Sequence, residues 1–339
     1  MKSKVVCLGE LLMRLNAPHH QRLSQTQGFE TFYSGSEANV AVLLAQLGES
    51  ASFVTKVPDN DLGLAGLKTL QAFGVETKNS ISAGDRLGIY FTELGTSTRP
   101  SRVIYDRANS AFANLKPGEI NWSEVFEGAS WFHWSGISAA VSQSAADVCA
   151  EAVAEAKKRN ITVSADLNYR SKLWKYGKTP AEVMPSMLAH CDVLMCDFDA
   201  LKLYMGIEQP KIGNKEEAFK QGCPIIKAKL PNVKTIAMTF RETSPSGMDL
   251  YSAAVFKDNQ TQFSKTFALG EIIDRIGSGD AFMGGLIFAL MQGWETQRVA
   301  QFAAACGVLK HSMPGDFTIL RKEEVDLFLN AEIRGRIIR

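Results

Sequence analysis

The chain has 339 residues, more than the roughly 100 to 200 of a usual domain, so it holds either one large α/β domain with an elaboration or two domains. Its 37 basic and 36 acidic residues nearly cancel, and 45% hydrophobic with 22% charged residues is ordinary globular composition. Nucleic acid and membrane surfaces are therefore not expected partners, and no run nears the roughly 18 apolar residues of a membrane-spanning helix.

In chain order, VVCL (5–8) reads as a first strand, and Glu10 and Arg14 interrupt the apolar opening before it could act as a secretory core. A cytoplasmic protein is expected. From about 12 to 33, β-like residues recur without a helix, with His19 and His20 read as a turn. A helix over 36–48, a strand over 51–57 and a helix over 61–74 follow, the two helices stopped by Gly48 and Gly74. A second β-like stretch spans 86–107. Strands are then expected at 130–137, 161–168, 191–196, 233–240 and 250–256, with helices at 144–160 and 179–190, the latter opened by a Thr179, Pro180, Glu182 capping box. Long helices over 280–293 and 296–312 close the pattern.

Strands alternating with helices imply a mostly parallel sheet covered on both faces. The two β-like excursions, about 12–33 and 86–107, predict a small separate sheet attached to one domain spanning 1–339. The six cysteines (7, 149, 191, 196, 223 and 306) form no Cys-x-x-Cys pair and read as inert thiols, and the five histidines lack ligand spacing, so no protein-held metal is expected. WFHW (131–134), with His133, reads as core packing, and KEEAFK (215–220) as a solvated helical face.

The segment DRIGSGDAFMGG (274–285) carries the chemistry. Gly277, Ser278 and Gly279 open a helix, whose unpaired N–H groups and dipole favour a phosphate or oxyanion. Asp280 follows at once, either as a simple helix cap or as something more. A dinucleotide loop is excluded because its third glycine would be Phe282, and the GKT at 177–179 is no P-loop because Lys172 stands where a glycine is required. Phosphoryl transfer reconciles an anion hole with an adjacent anion: amides hold the phosphoryl while a carboxylate faces the incoming hydroxyl. An Asp of ordinary pKa, about 3.9, kept ionised by the helix dipole, would mainly orient that hydroxyl.

This segment resembles the C-terminal signature of the phosphofructokinase-B, or ribokinase-like, carbohydrate kinases. SGSEANVAVLLAQLG (34–48) and PDNDLGLAGLKTLQAFGV (58–75) resemble further family segments in the same order. The resemblance implies a three-layer αβα sandwich with a small β-sheet lid, an ATP and Mg2+ requirement, and Asp280 as catalytic base beside an anion hole of Gly277, Ser278 and Gly279. GELLMRL, RLGIYFTELGTSTRPSRVIYDRANSA (86–111), DLNYRSKLW (166–174) and PGDFT (314–318) are similar to the family's kinases of keto-deoxy sugar acids, which implies phosphorylation of 2-keto-3-deoxygluconate at its 6-hydroxyl. Carried over, Gly35, Ser36 and Asn39 meet the sugar hydroxyls, Tyr90, Tyr105 and Arg107 reach down from the small sheet, and Arg170, Asp280 and Asp316 complete the pocket. For ATP the resemblance implies Asn168, shared with Arg170, then Thr239, Arg241, the loop near Gly247, and Gly277 to Gly279.

A sugar acid brings a carboxylate, which arginine forks match, so Arg107 and Arg170 suit this substrate. The plain alternative for Arg107 is a solvent-facing strand residue. Three departures from the family stand out: Ser34 precedes Gly35 where a glycine is common, CDFD (196–199) replaces an Asn-x-x-Glu motif so that Asp197 or Asp199 must substitute if anything does, and Arg275 replaces a Thr. Competing expectations are a kinase for fructose, ribose or the galacto epimer, and a non-catalytic sugar-acid sensor. An apolar outer face on the small sheet predicts a homodimer through the lids.

Overall fold

The strand Lys4–Leu8 explains the layering: Val5 and Cys7 pack into one apolar cluster while Val6 and Leu8 pack into another, all without exposure. A strand apolar on both faces must be covered twice. The structure, a computed structural model, describes residues 3–96 and 98–330, and the expected domain of 1–339 is outside the described residues at 1–2, 97 and 331–339.

Parallel ladders join, in spatial order, Ser50–Val54, Lys4–Leu8, Ala129–Ser135, Thr162–Asp166, Val193–Met195 and Thr235–Thr243. Antiparallel pairing then adds Asp249–Lys257 and the edge strand Gln260–Phe263. Helices Ser36–Gln46, Ser278–Met291 and Thr296–Lys310 cover one face, and Gln143–Lys158, Pro180–Leu188, Phe198–Met205 and Lys215–Lys229 cover the other. This is the ribokinase-like αβα sandwich that the resemblance implies.

Local differences have local causes. The strand expected over 51–57 breaks at Thr55, and Lys56–Val57 leaves the main sheet to pair with Ile81–Ser82. The KEEAFK segment is only the first turn and a half of Lys215–Lys229, which continues through Pro224. The helix Phe198–Met205 lies inside a stretch whose sequence has no long amphipathic pattern; Asp197 caps its start and left-handed Gly206 ends it. His133 is a core histidine, its Nδ1 3.0 Å from Ser164 Oγ, and burial holds its pKa down to about 3. All six cysteines are buried free thiols. Among the described residues no helix is long and apolar enough to cross a membrane.

The small sheet has four strands in the order Glu30–Ser34, Leu12–Ala17, Gly88–Glu93, Arg102–Asp106. Its register aligns Arg14, Tyr90 and Tyr105 across three strands, so these point to one face, and Leu15, Phe91 and Ile104 to the other. The first face closes over the carboxyl ends of the parallel strands, where open α/β sheets bind ligands. The second is apolar and open: Ile104 is 51% exposed, and Phe29, 42% exposed, packs edge-on against Phe91.

Candidate active site

A cleft of about 600 Å3 separates the two sheets. Its floor is the start of the helix Ser278–Met291, with Gly277 as N-cap at φ 87°. A Cβ at Gly277 would lie 2.3 Å from the Asp316 carbonyl oxygen, so this glycine is required by a backbone crossing as well as by its left-handed φ. Ser278 Oγ donates to the Arg275 carbonyl at 2.9 Å and accepts from Arg241 Nη2 at 2.8 Å.

Asp280 is not a helix cap. Its two oxygens accept from Ser36 Oγ and Asn39 Nδ2, each at 2.7 Å, and Asn168 Nδ2 donates onward to Ser36 Oγ at 2.8 Å. Ser36 and Asn39 thus grip the carboxylate, a contact that the resemblance did not name, while both also line the cleft. The expectation of an ordinary, dipole-stabilised aspartate is also corrected: burial pushes the Asp280 pKa up, outweighing the Ser36 and Asn39 hydrogen bonds. Asp280 is consequently a better proton acceptor than a solvated aspartate.

On the small-sheet side, Gly35 starts the helix Ser36–Gln46, and Ser34 Oγ sits 2.9 Å from the Tyr90 hydroxyl. Tyr90 donates to Asp316, whose other oxygen takes Arg14 Nη1 at 2.7 Å. Arg14 also pairs with Asp274 at 2.7 Å, and Asp274 accepts the Ile276 N–H at 3.0 Å, just ahead of Gly277. Lys310, fully buried, closes this cluster by donating to the Met313 and Asp274 carbonyls at 3.1 and 3.4 Å. Arg107 is 3% exposed, which overturns the solvent-facing alternative, and its guanidinium lies 5.8 Å from the Tyr105 ring centre. Arg170 lines the same cleft and donates to the Tyr169 carbonyl at 2.9 Å.

The opposite wall carries Asn168, Thr239 and Arg241. Gly247 stands apart: it is exposed in the turn between the strands Thr235–Thr243 and Asp249–Lys257 and does not line the cleft. Asp197 lines it while capping its own helix through the Ala200 N–H at 2.8 Å, whereas Asp199 is exposed and does not. Arg275 lines the cleft and pairs with Asp249.

Sequence reasoning missed two charged lining residues. Asp166, at the end of the strand Thr162–Asp166, is pushed up to about 8 by burial and then by the nearby Asp280 charge, against Arg170. Its strand-end position two residues before Asn168 was the available signal. Lys215 is exposed on the solvated face of KEEAFK as expected, and its ammonium also donates to the Arg241 carbonyl at 3.3 Å on the cleft wall. No local signal marks it, because only the tertiary packing brings that helix start to Arg241.

Residues 2–321 match the sequence profile of the pfkB family carbohydrate kinases. The chain belongs to the pfkB family. This pfkB kinase is 28% identical to the 2-dehydro-3-deoxygalactonokinase of Haloferax volcanii across 99% of each chain. It is also 28% identical to the 2-dehydro-3-deoxygluconokinase of Thermoproteus tenax, over 92% of this chain and 89% of the relative. The crystal structure of the 2-dehydro-3-deoxygluconokinase of Thermotoga maritima superimposes with a TM-score of 0.92 at 39% identity, covering 97% of this chain and 100% of that one. A sugar kinase of ribokinase-like fold is the shared description.

Proposed function

We propose that this kinase transfers the γ-phosphoryl group of ATP to the 6-hydroxyl of 2-keto-3-deoxygluconate. The observation that carries the reading is one cleft holding a half-buried, gripped Asp280 at a helix N-terminus together with Arg107 and Arg170. Asp280 aligns the hydroxyl and takes its proton as the new O–P bond forms; the bond from the γ-phosphorus to the ADP oxygen breaks, and ADP departs with that electron pair. The Gly277 to Gly279 backbone, Arg241 and Arg275 face the charge that develops on the phosphoryl oxygens. Asn39 Oδ1, buried without a partner, is free to accept a sugar hydroxyl alongside Gly35 and Tyr105, while Asp316, held by Arg14 and Tyr90, shapes that end of the pocket.

Mg2+ would arrive on the nucleotide, coordinated mainly by phosphates and water. Asp166 and Asp197 line the cleft wall and, once ionised, would hold that hydrated ion, which would supply neutralisation of phosphate charge. The small sheet serves as a lid that excludes water from the phosphoryl donor. Its open apolar face supports a homodimer through the lids, and the enzyme works in the cytoplasm.

The galacto epimer is the second reading, favoured by the Haloferax volcanii relative. The test is ADP release with the gluco and galacto keto-deoxy acids, fructose and ribose, for wild type and Asp280→Asn. Turnover of a keto-deoxy acid, lost in Asp280→Asn, is expected. Turnover of a neutral sugar alone overturns the substrate, and ligand binding without ADP release in wild type would mean a sensor.

A further inference from the structure

The Arg107 fork, assigned above to the acid group of the sugar, is already engaged from behind. Its Nε donates to Glu10 Oε2 at 2.7 Å, and its Nη2 lies 2.6 Å from the same oxygen. The other carboxylate oxygen of Glu10 accepts from Ser110 Oγ at 2.5 Å. Glu10 is 2% exposed, so this is a buried, hydrogen-bonded ion pair. Space for it depends on Gly88 of the small sheet, where a Cβ would come within 2.3 Å of Glu10 Oε1. What remains is Nη1, buried and without a partner among the described residues, on a residue that lines the cleft.

This geometry divides the work between two arginines. Two of the donor nitrogens of Arg107 are spent on a carboxylate that also cancels its charge, so the pair offers a ligand a hydrogen-bond donor and almost no net field. Arg170 forms no ion pair among the described residues and keeps its charge toward the cleft.

We infer that Glu10 is a positioning residue for Arg107 that presents Nη1 alone to one oxygen of the sugar acid, leaving Arg170 to supply the charge that selects an acid over a neutral sugar. The inference rests on the sugar-acid reading. Glu10 touches neither substrate in this arrangement; it acts through the guanidinium it holds.

The experiment is a double-mutant cycle of Glu10→Gln, Arg107→Met and the double variant, with Arg170→Gln alongside, reading KM for 2-keto-3-deoxygluconate and for ATP over a range of salt. Glu10→Gln keeps the side-chain shape and removes the charge. The freed Arg107 charge by itself favours an anion, but the fork loses its aim, and the net result expected is a rise in KM for the acid of about tenfold, the weight of a charge-assisted hydrogen bond, with KM for ATP within about twofold. In the Arg107→Met background it should add nothing. The rise of KM for the acid with salt should persist in Arg107→Met and vanish in Arg170→Gln.

An additive cycle, an equal rise in KM for ATP, or a salt dependence that follows Arg107 overturns the inference. If Glu10→Gln does not fold, Glu10→Asp, which withdraws the carboxylate from the fork, serves in the same cycle. A wild type inert toward every keto-deoxy acid overturns the substrate reading and this inference together, whereas an active wild type with an additive cycle overturns this inference alone.

Discussion

Arg14 and Asp316, 302 positions apart in sequence, meet at 2.7 Å with both side chains buried. Arg14 belongs to the small sheet and Asp316 to the loop against Gly277, and Asp274 makes the contact a triad. Burial opposes the Arg14 charge, but Asp316 and Asp274 more than offset it and raise its pKa. Arg14→Met would remove the guanidinium that pairs with both carboxylates and leave them only Tyr90, the Ile276 N–H and the Lys310 charge. A loss on the order of 3–5 kcal/mol in urea unfolding is expected, and a loss below about 1 kcal/mol would mean that the triad relaxes into water.

Asp280 must be ionised to accept a proton, and its pKa is raised, so kcat should fall on the acid side at a pH above the ordinary aspartate range of about 3.9. Ser36 donates to the ionised form, so its removal pushes that pKa further up. Ser36→Ala should shift the acid limb of the kcat profile to higher pH, and Asp280→Asn should lower kcat by about 10²–10⁴-fold at every pH. An acid limb that stays put in Ser36→Ala would disconnect the serine from the base.

Arg241 reaches Ser278 Oγ and lies on the wall opposite the small sheet. Arg241→Ala should reduce kcat/KM for ATP about tenfold or more, the size of one lost charge-assisted hydrogen bond. KM for the sugar acid should change little. The reverse pattern in steady-state titrations would move Arg241 to the acceptor side.

Two buried acids give stability a definite pH slope. Burial pushes Asp166 up to about 8 and Glu37 up to about 7, the latter against hydrogen bonds from Ser135 and Ser138. The unfolded chain releases both protons near pH 4, so between about 4 and 8 the folded state holds protons that the unfolded state has lost. Stability should therefore decrease as pH rises across that window, by up to about 1.4 kcal/mol per unit for each group. Denaturant titrations from pH 5 to 8 should show a flatter slope in Asp166→Asn and in Glu37→Gln; an unchanged slope in both would place the titrating groups elsewhere.

The homodimer can be tested on the open face of the small sheet. Phe91→Glu places a charge beside Phe29 and Ile104 without touching the cleft-facing row. Sedimentation should change from dimer to monomer at micromolar concentration. A wild type that sediments as a monomer, or a variant that stays dimeric, excludes this face.

The αβα architecture and the glycine-opened helix start were legible because both are written locally: period-two and longer apolar patterns mark strands and helices, and Gly277 to Asp280 are contiguous. The grip on Asp280 was not legible as a grip. Ser36 and Asn39 lie 244 and 241 positions before it, and each could be named from a resemblance without revealing what it touches. Lys215 was hidden for a related reason, since an exposed lysine at a helix start looks the same whether the helix opens on solvent or on a cleft. Arg107 was placed at the pocket from the resemblance, but its pairing with Glu10, 97 positions earlier, was not legible, because Glu10 sits in a different strand connection.

Asp316 bears on how this cleft could be redesigned. Its carbonyl fixes where Gly277 sits and its carboxylate is held by Arg14 and Tyr90, so three walls share one residue. A library seeking new acceptor sugars should leave Arg14, Tyr90 and Asp316 untouched, since altering any of them disturbs the phosphoryl side as well. Leu12 and Val103 line the same cleft without joining that cluster, and they are the places where the acceptor pocket can be reshaped while the transfer machinery keeps its alignment.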